Sequence, residues 1–247
     1  MSLALLAMTI MAKPKAVNLT VENMHQPLGL STHAPRFSWQ ITDGKKSSVQ
    51  KSYRILVASR PDLLSPSKAD LWDSGTVTSD EQLWLEYAGK KLKDTDRAFW
   101  TVMVTTNHGT SEWAAPQEFG IGLTVESHWA GRWIGADRCI DADRQGYRTR
   151  LAARYLRKEI KLKAEEIRRA TAYIAAVGLY EFYVNGQRQG DHVLAPQPTD
   201  TRKSIIYNTF DITDALRTKA LSHEAEANRQ GEVSTMMTLA PEESVSC

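Results

Sequence analysis

The stretch LYEFYVNGQRQGD, residues 179–191, alternates apolar and polar side chains and then meets Asn185-Gly186. Tyr180, Phe182 and Val184 fall on one face, with Glu181 and Tyr183 on the other, so a strand here can press one face into a core. Asn-Gly is the preferred pair for a type I′ turn, because both central residues need positive φ. Gln187 to Gly190 then returns as the partner strand. The segment therefore predicts a β-hairpin, with a ligand role for Asn185 or Asp191 as the alternative to a purely structural one.

Outward from the hairpin the same two-residue period recurs. RFSWQI (36–41), SYRILVAS (52–59) and AFWTVMVTT (98–106) alternate and are rich in β-branched and aromatic types. TDGKK, SRPDLLSPSKAD and NHGTSEW between them supply the Gly, Pro, Asn and Asp that turns require. Strands at this spacing suggest a β-sandwich of immunoglobulin or fibronectin type III kind over residues 17–123, without the Cys…Trp…Cys pattern of antibody domains. A join falls in GIGLTVESHWAGRWIGA. A second set, ARYLRKEIKL (153–162), RATAYIAAVG (169–178), the hairpin and SIIYNTFDIT (204–213), fills 128–216. KAEEIRRA (163–170) reads as a turn of helix or a solvated loop. The expected fold class is all-β, two consecutive sandwiches. Residues 217–247 contain no aromatic side chain and no clear strand period, so they are expected to be irregular or to begin with a short helix.

Bulk properties narrow the function. The 247 residues carry 31 Lys+Arg against 29 Asp+Glu, a formal charge of +2, too balanced to argue for nucleic acid or an anionic membrane. The two cysteines, Cys139 and Cys247, form neither a disulfide framework nor a metal-ligand pair, and the six histidines are scattered. No cofactor or metal is expected. MSLALLAMTIMAKPKA at residues 1–16 holds an apolar run too short to span a bilayer. It fits the h-region of a secretory signal, which would make the chain secreted or periplasmic, or a frayed cytoplasmic N-terminus without the basic n-region of a signal. Asp73, Asp80 and Glu81 in LWDSGTVTSDE have turn chemistry rather than that of a paired-carboxylate site. Trp129 and Trp133 bracket the join, expected to pack the sandwiches, with sugar stacking as the alternative.

VNLTVENMHQPLGLSTHAPRFSWQI, SYRILVASRPDLL, ADLWDSGTVTSDE, AFWTVMV and NHGTSEWAAPQEFGIGL together resemble the N-terminal fibronectin-like domain of bacterial α-L-rhamnosidases. WAGRWIGA, ARYLRKEI, RRATAYIAAVGLYEFYVNGQRQGDHVLAPQPTD and YNTFDITDAL resemble the jelly-roll sandwich that follows it there, so the likeness runs from about Val17 to about Leu216. The resemblance implies an enzyme that hydrolyses terminal α-L-rhamnose with inversion, using an acid and a base on a large (α/α)6 barrel. Roughly 30 residues follow Leu216, too few for that barrel, so no carboxylate here inherits a catalytic role. The chain is expected to be inactive alone, with a stand-alone carbohydrate-binding or adhesion module as the other reading.

Two departures from the family pattern qualify the expectation. Some family jelly rolls bind rhamnose through calcium with an acidic residue and an Asn just before the hairpin. AAVG (175–178) stands there instead and offers no oxygen side chain, whereas calcium wants six to eight oxygen ligands. The family sandwich also continues with apolar strands where this chain has its polar tail. The resemblance thus implies rhamnose-containing glycans as partners, and the missing strands imply an open sheet edge able to pair with a protein or a second copy. Carbohydrate contacts, if any, are placed on Trp129, Trp133, Asn185 and Asp191.

Overall fold

The computed structural model describes residues 13–134, 154–162, 167–216 and 231–240. The apolar run at 1–12, Cys139, Cys247 and residues 163–166 of the predicted turn or loop lie outside them. The chain forms two compact units, Met1–Trp129 and Ala130–Cys247.

In the first unit alternation dictates the strands. β1 (Lys15–Val21), β2 (Arg36–Thr42) and β3 (Gln50–Ala58) are followed by the short β4 (Trp72–Asp73), β5 (Val77–Thr78) and β6 (Leu85–Glu86). β7 (Arg97–Thr106), β8 (Gly109–Thr110) and β9 (Gln117–Gly120) complete it. One sheet runs β1-β2-β6, and the other runs β4-β3-β7-β8, with β5 also on β3 and β9 on β7. Their inner faces enclose Phe37, Trp39, Ile55, Val57, Trp100, Val102, Val104 and Phe119, all fully buried. Phe37 packs against Trp100 with ring centroids 4.5 Å apart, which ties the two sheets together. This is the immunoglobulin-type sandwich.

The core contains one polar bridge. Trp39 Nε1 donates to Gln50 Oε1 at 3.0 Å, and Gln50 Nε2 donates to the carbonyls of Ser79 (3.1 Å) and Glu81 (2.8 Å). A buried amide is tolerated because its acceptor and both donor hydrogens are used. Gly89 marks a close approach: a Cβ there would sit 2.5 Å from Leu71 O and from Trp72 Cβ.

In the second unit, β10 (Arg154–Leu162), β11 (Thr171–Ala175), β12 (Leu179–Val184), β13 (Gln187–Arg188) and β14 (Tyr207–Asp211) come from the predicted segments. A strand not expected from the sequence, β15 (Gly231–Ala240), follows. The sheets run β10-β15-β12-β13 and β11-β14. Phe182 on one meets Phe210 on the other at 5.3 Å, and Ile174, Tyr180, Val184 and Leu216 are buried around them.

The expectation that everything after Leu216 is irregular is therefore corrected for residues 231–240. GEVSTMMTLA carries Val233, Thr235 and Thr238, β-branched residues suited to a pleated ladder, and no charge after Glu232. Its Ser, Thr and Met residues blur the apolar alternation by which the other strands were recognised. β15 also fills the place between β10 and β12 that the sequence reading left open. Residues 213–216 make one helical turn, and 217–230 and 241–247 of the tail lie outside the described residues.

Candidate functional site

The hairpin forms as its sequence dictates. Asn185 and Gly186 have φ of 51° and 79°, the two positive values of a type I′ turn. Asn185 does more than turn the chain: its side-chain amide donates to Ala215 O at 2.9 Å and fastens the turn to the segment after β14. Its amide is thus engaged within the fold. Tyr180 OH donates to Asn208 Oδ1 at 2.9 Å, and burial pushes its phenol well above the ordinary range. Gly190, at φ 72°, lets the chain pass Phe210, since a Cβ would lie 2.9 Å from that ring. Asp191 follows it and is exposed.

Trp129 is half-buried in the first unit, closing a single 3-10 turn by donating its N–H to Glu126 O at 3.0 Å. Trp133 belongs to the second unit and is 67% exposed. The four sequence-chosen residues are thus distributed over two units. Ala175 ends β11 and Ala176 is buried, with Gly178 at φ 104° starting the turn into β12. Among the described residues no three His, Cys, Asp or Glu side chains are grouped as metal ligands.

Several carboxylates of the first unit have defined partners. Arg54 grips Asp73 with two bonds (2.8 and 2.6 Å), and Asp73 also accepts the Gly75 N–H. Asp43 accepts from Ser48 and from the Lys45 N–H, and lies 3.0 Å from His108 Nδ1. Asp94 was not anticipated at all. Its buried carboxylate accepts the Thr124 N–H (2.8 Å) and hydroxyl (2.6 Å) and meets His33 Nε2 (2.8 Å) and His128 Nδ1 (2.6 Å). Burial would push its acid up, but these bonds outweigh it and hold Asp94 well below the usual carboxylate range. Four residues from three separate stretches of sequence make this clasp, and none of them forms a local motif. It fixes the segment leaving the first sandwich.

Comparison with known proteins agrees with this geometry. Residues 16–125 match the family described as Rha78A-like, N-terminal immunoglobulin domain, and residues 165–225 match the α-L-rhamnosidase N-terminal domain. An α-L-rhamnosidase of Formosa agariphila is 36% identical over 207 residues, covering 77% of this chain and 21% of the relative. One of Alteromonas sp. is 31% identical over 209 residues, covering 83% and 22%. The chain thus spans about a fifth of the length of the curated relatives it matches. The structure of an α-L-rhamnosidase from Dictyoglumus thermophilum superposes with a TM-score of 0.76 at 30% identity, over 92% of this chain and 25% of that one. The chain belongs to the α-L-rhamnosidase family and corresponds to its N-terminal β domains.

Proposed function

We propose that the chain acts as the non-catalytic N-terminal part of a rhamnosidase-like glycoside hydrolase. In the whole protein, an acid and a base elsewhere would hydrolyse terminal α-L-rhamnose, and these sandwiches would brace that machinery and border the substrate. The observation that carries this reading is the pair of family matches, in order, at 16–125 and 165–225. The division between two sandwiches near residue 125 is supported by the first match ending there and by the boundary between compact units after Trp129, with β15 carrying the second sandwich beyond residue 216. The test is nitrophenol release from nitrophenyl α-L-rhamnoside by the purified chain. The expected result is none above an inactive protein, and sustained release refutes the reading.

A second reading, a module that itself holds rhamnose-containing glycans, is favoured by the exposure of Trp133 and Asp191. Of the four residues chosen from sequence, these two offer the most surface. Among the described residues no helix is long and apolar enough to cross a membrane.

A further inference from the structure

The end of the β1-β2-β6 sheet carries a row of charge that register assembles. Arg36 on β2 faces Glu86 on β6. On its other side the Glu22 N–H, just past β1, donates to Arg36 O at 2.9 Å. Phe37 and Leu85, next along each strand, point into the core, so Arg36 and Glu86 project outward. Glu22 accepts the Arg36 backbone N–H at 2.8 Å and three bonds from its guanidinium at 2.6–3.2 Å. Those bonds hold Glu22 below its ordinary pKa, so it stays an acceptor.

A large aromatic ring completes the surface. Arg36 Cζ lies 4.1 Å from the centroid of the Trp84 ring, and Trp84 remains 43% exposed. Trp84 sits at φ 60°, a conformation unusual for a bulky residue. Strain of that kind concentrates at functional surfaces. Beside it opens a groove of about 590 Å³ lined by Glu22, Met24, Ser31, Thr32, Arg36 and Glu86. Volumes of this order accept small ligands.

We propose that this groove binds a neutral sugar residue through its hydroxyls on Glu22, Glu86 and Arg36, with Trp84, outside the lining, positioning the Arg36 guanidinium. The chemistry selects the class. Two carboxylates against one guanidinium leave an acceptor-rich groove that disfavours phosphate or sulfate. Arg36 already occupies the cation position over Trp84, which leaves less for a basic peptide to gain. Hydroxyl groups can donate to the carboxylates without bringing charge. The choice of rhamnose as first probe rests on the proposed function above. The groove is lined by residues of the first unit, whereas Trp133, Asn185 and Asp191 belong to the second.

Ligand-observed NMR and calorimetry on the full chain test this, with methyl α-L-rhamnopyranoside as probe, methyl α-D-glucopyranoside for comparison and an oligolysine peptide as the charged alternative. Saturable rhamnoside binding is expected, weakened about tenfold or more in Trp84→Ala and Arg36→Ala. Trp84→Phe, which keeps an aromatic face and guards against misfolding of the alanine variant, is expected to retain most of it. Binding unchanged in Trp84→Ala overturns the site and leaves the proposed function standing. So does a chain with native circular dichroism that binds no sugar, or one that binds only oligolysine. Sustained nitrophenol release instead fails the proposed function and does not bear on the groove.

Discussion

Exchanging the two buried indoles of the first unit for phenylalanine, one at a time, isolates the hydrogen bond from the packing. Trp39 and Trp100 lie in the same core, both essentially without exposure. Trp→Phe removes the same atoms at each, with a shared loss of about 1–2 kcal/mol from transfer and cavity terms. The polar consequences have opposite signs. Trp39→Phe strips the donor from Gln50 Oε1, an acceptor with no exposure to water, at about 1–3 kcal/mol. Trp100 Nε1 is buried and meets no acceptor among the described residues. Removing it therefore relieves a penalty of the same order. Trp39→Phe should be the more destabilising by about 3 kcal/mol, and Trp100→Phe should lie near neutrality. With a urea m-value of about 1.5 kcal/mol/M, the midpoints should differ by about 2 M. Hydrogen exchange of β3 and β7 amides across a urea series reads the first unit separately from the second. Equal midpoints, or a lower one for Trp100→Phe, would refute the hydrogen-bond argument.

Three further outcomes follow from named contacts. Gly89→Ala drives a Cβ to 2.5 Å from the Leu71 carbonyl, so the first unit should lose about 1–3 kcal/mol, read as a lowered melting temperature. Gly186 has open space for a Cβ but a φ of 79°, so Gly186→Ala should cost about 1–2 kcal/mol through the backbone alone, measured by urea melts of the second unit. The folded-state pKa of Asp94 is depressed, so its stabilisation is complete above the unfolded value of about 3.9 and fades as pH falls below it. Asp94→Asn should be less stable than wild type at pH 7 and show a shallower loss of stability below about pH 4; parallel acid-melt curves would contradict this.

How much of this was legible in the sequence depends on how local each signal is. β2, β3, β7 and β12 declare themselves by alternation, and Asn185-Gly186 declares its turn, because those rules act between neighbours. The bond from Asn185 to Ala215 O has no such signature, and it adds a clip within the second unit to the turn that the sequence predicts. The Asp94 clasp and the Glu22–Arg36–Glu86 row share that difficulty. Each joins segments that lie apart in the sequence and that no local pattern brings together. Trp84 illustrates it most clearly: no motif marks it within QLWLEY, and only the pairing of Arg36 with Glu86 shows what stands beside it.

The same dependence on pairing makes the late strand decisive for the second unit. Among the described residues β10 has one neighbour in its sheet, β15, through a ladder running from Arg154–Leu239 to Leu162–Gly231. β12 uses the opposite edge of the same strand, with Thr235 paired to Val184 there and to Lys158 on β10. Thr235→Pro removes a ladder donor from a central strand and imposes a φ that the sheet does not accept. Hydrogen exchange after this substitution should show β10 amides losing protection throughout. The β11–β14 ladder and the Asn185 turn have pairings independent of β15 and should keep theirs. Protection retained in β10 would mean that Arg154–Leu162 is held by something other than residues 231–240. Protection lost in β11 and β14 as well would mean that the second unit folds as one cooperative body whose closing step is the insertion of its last strand.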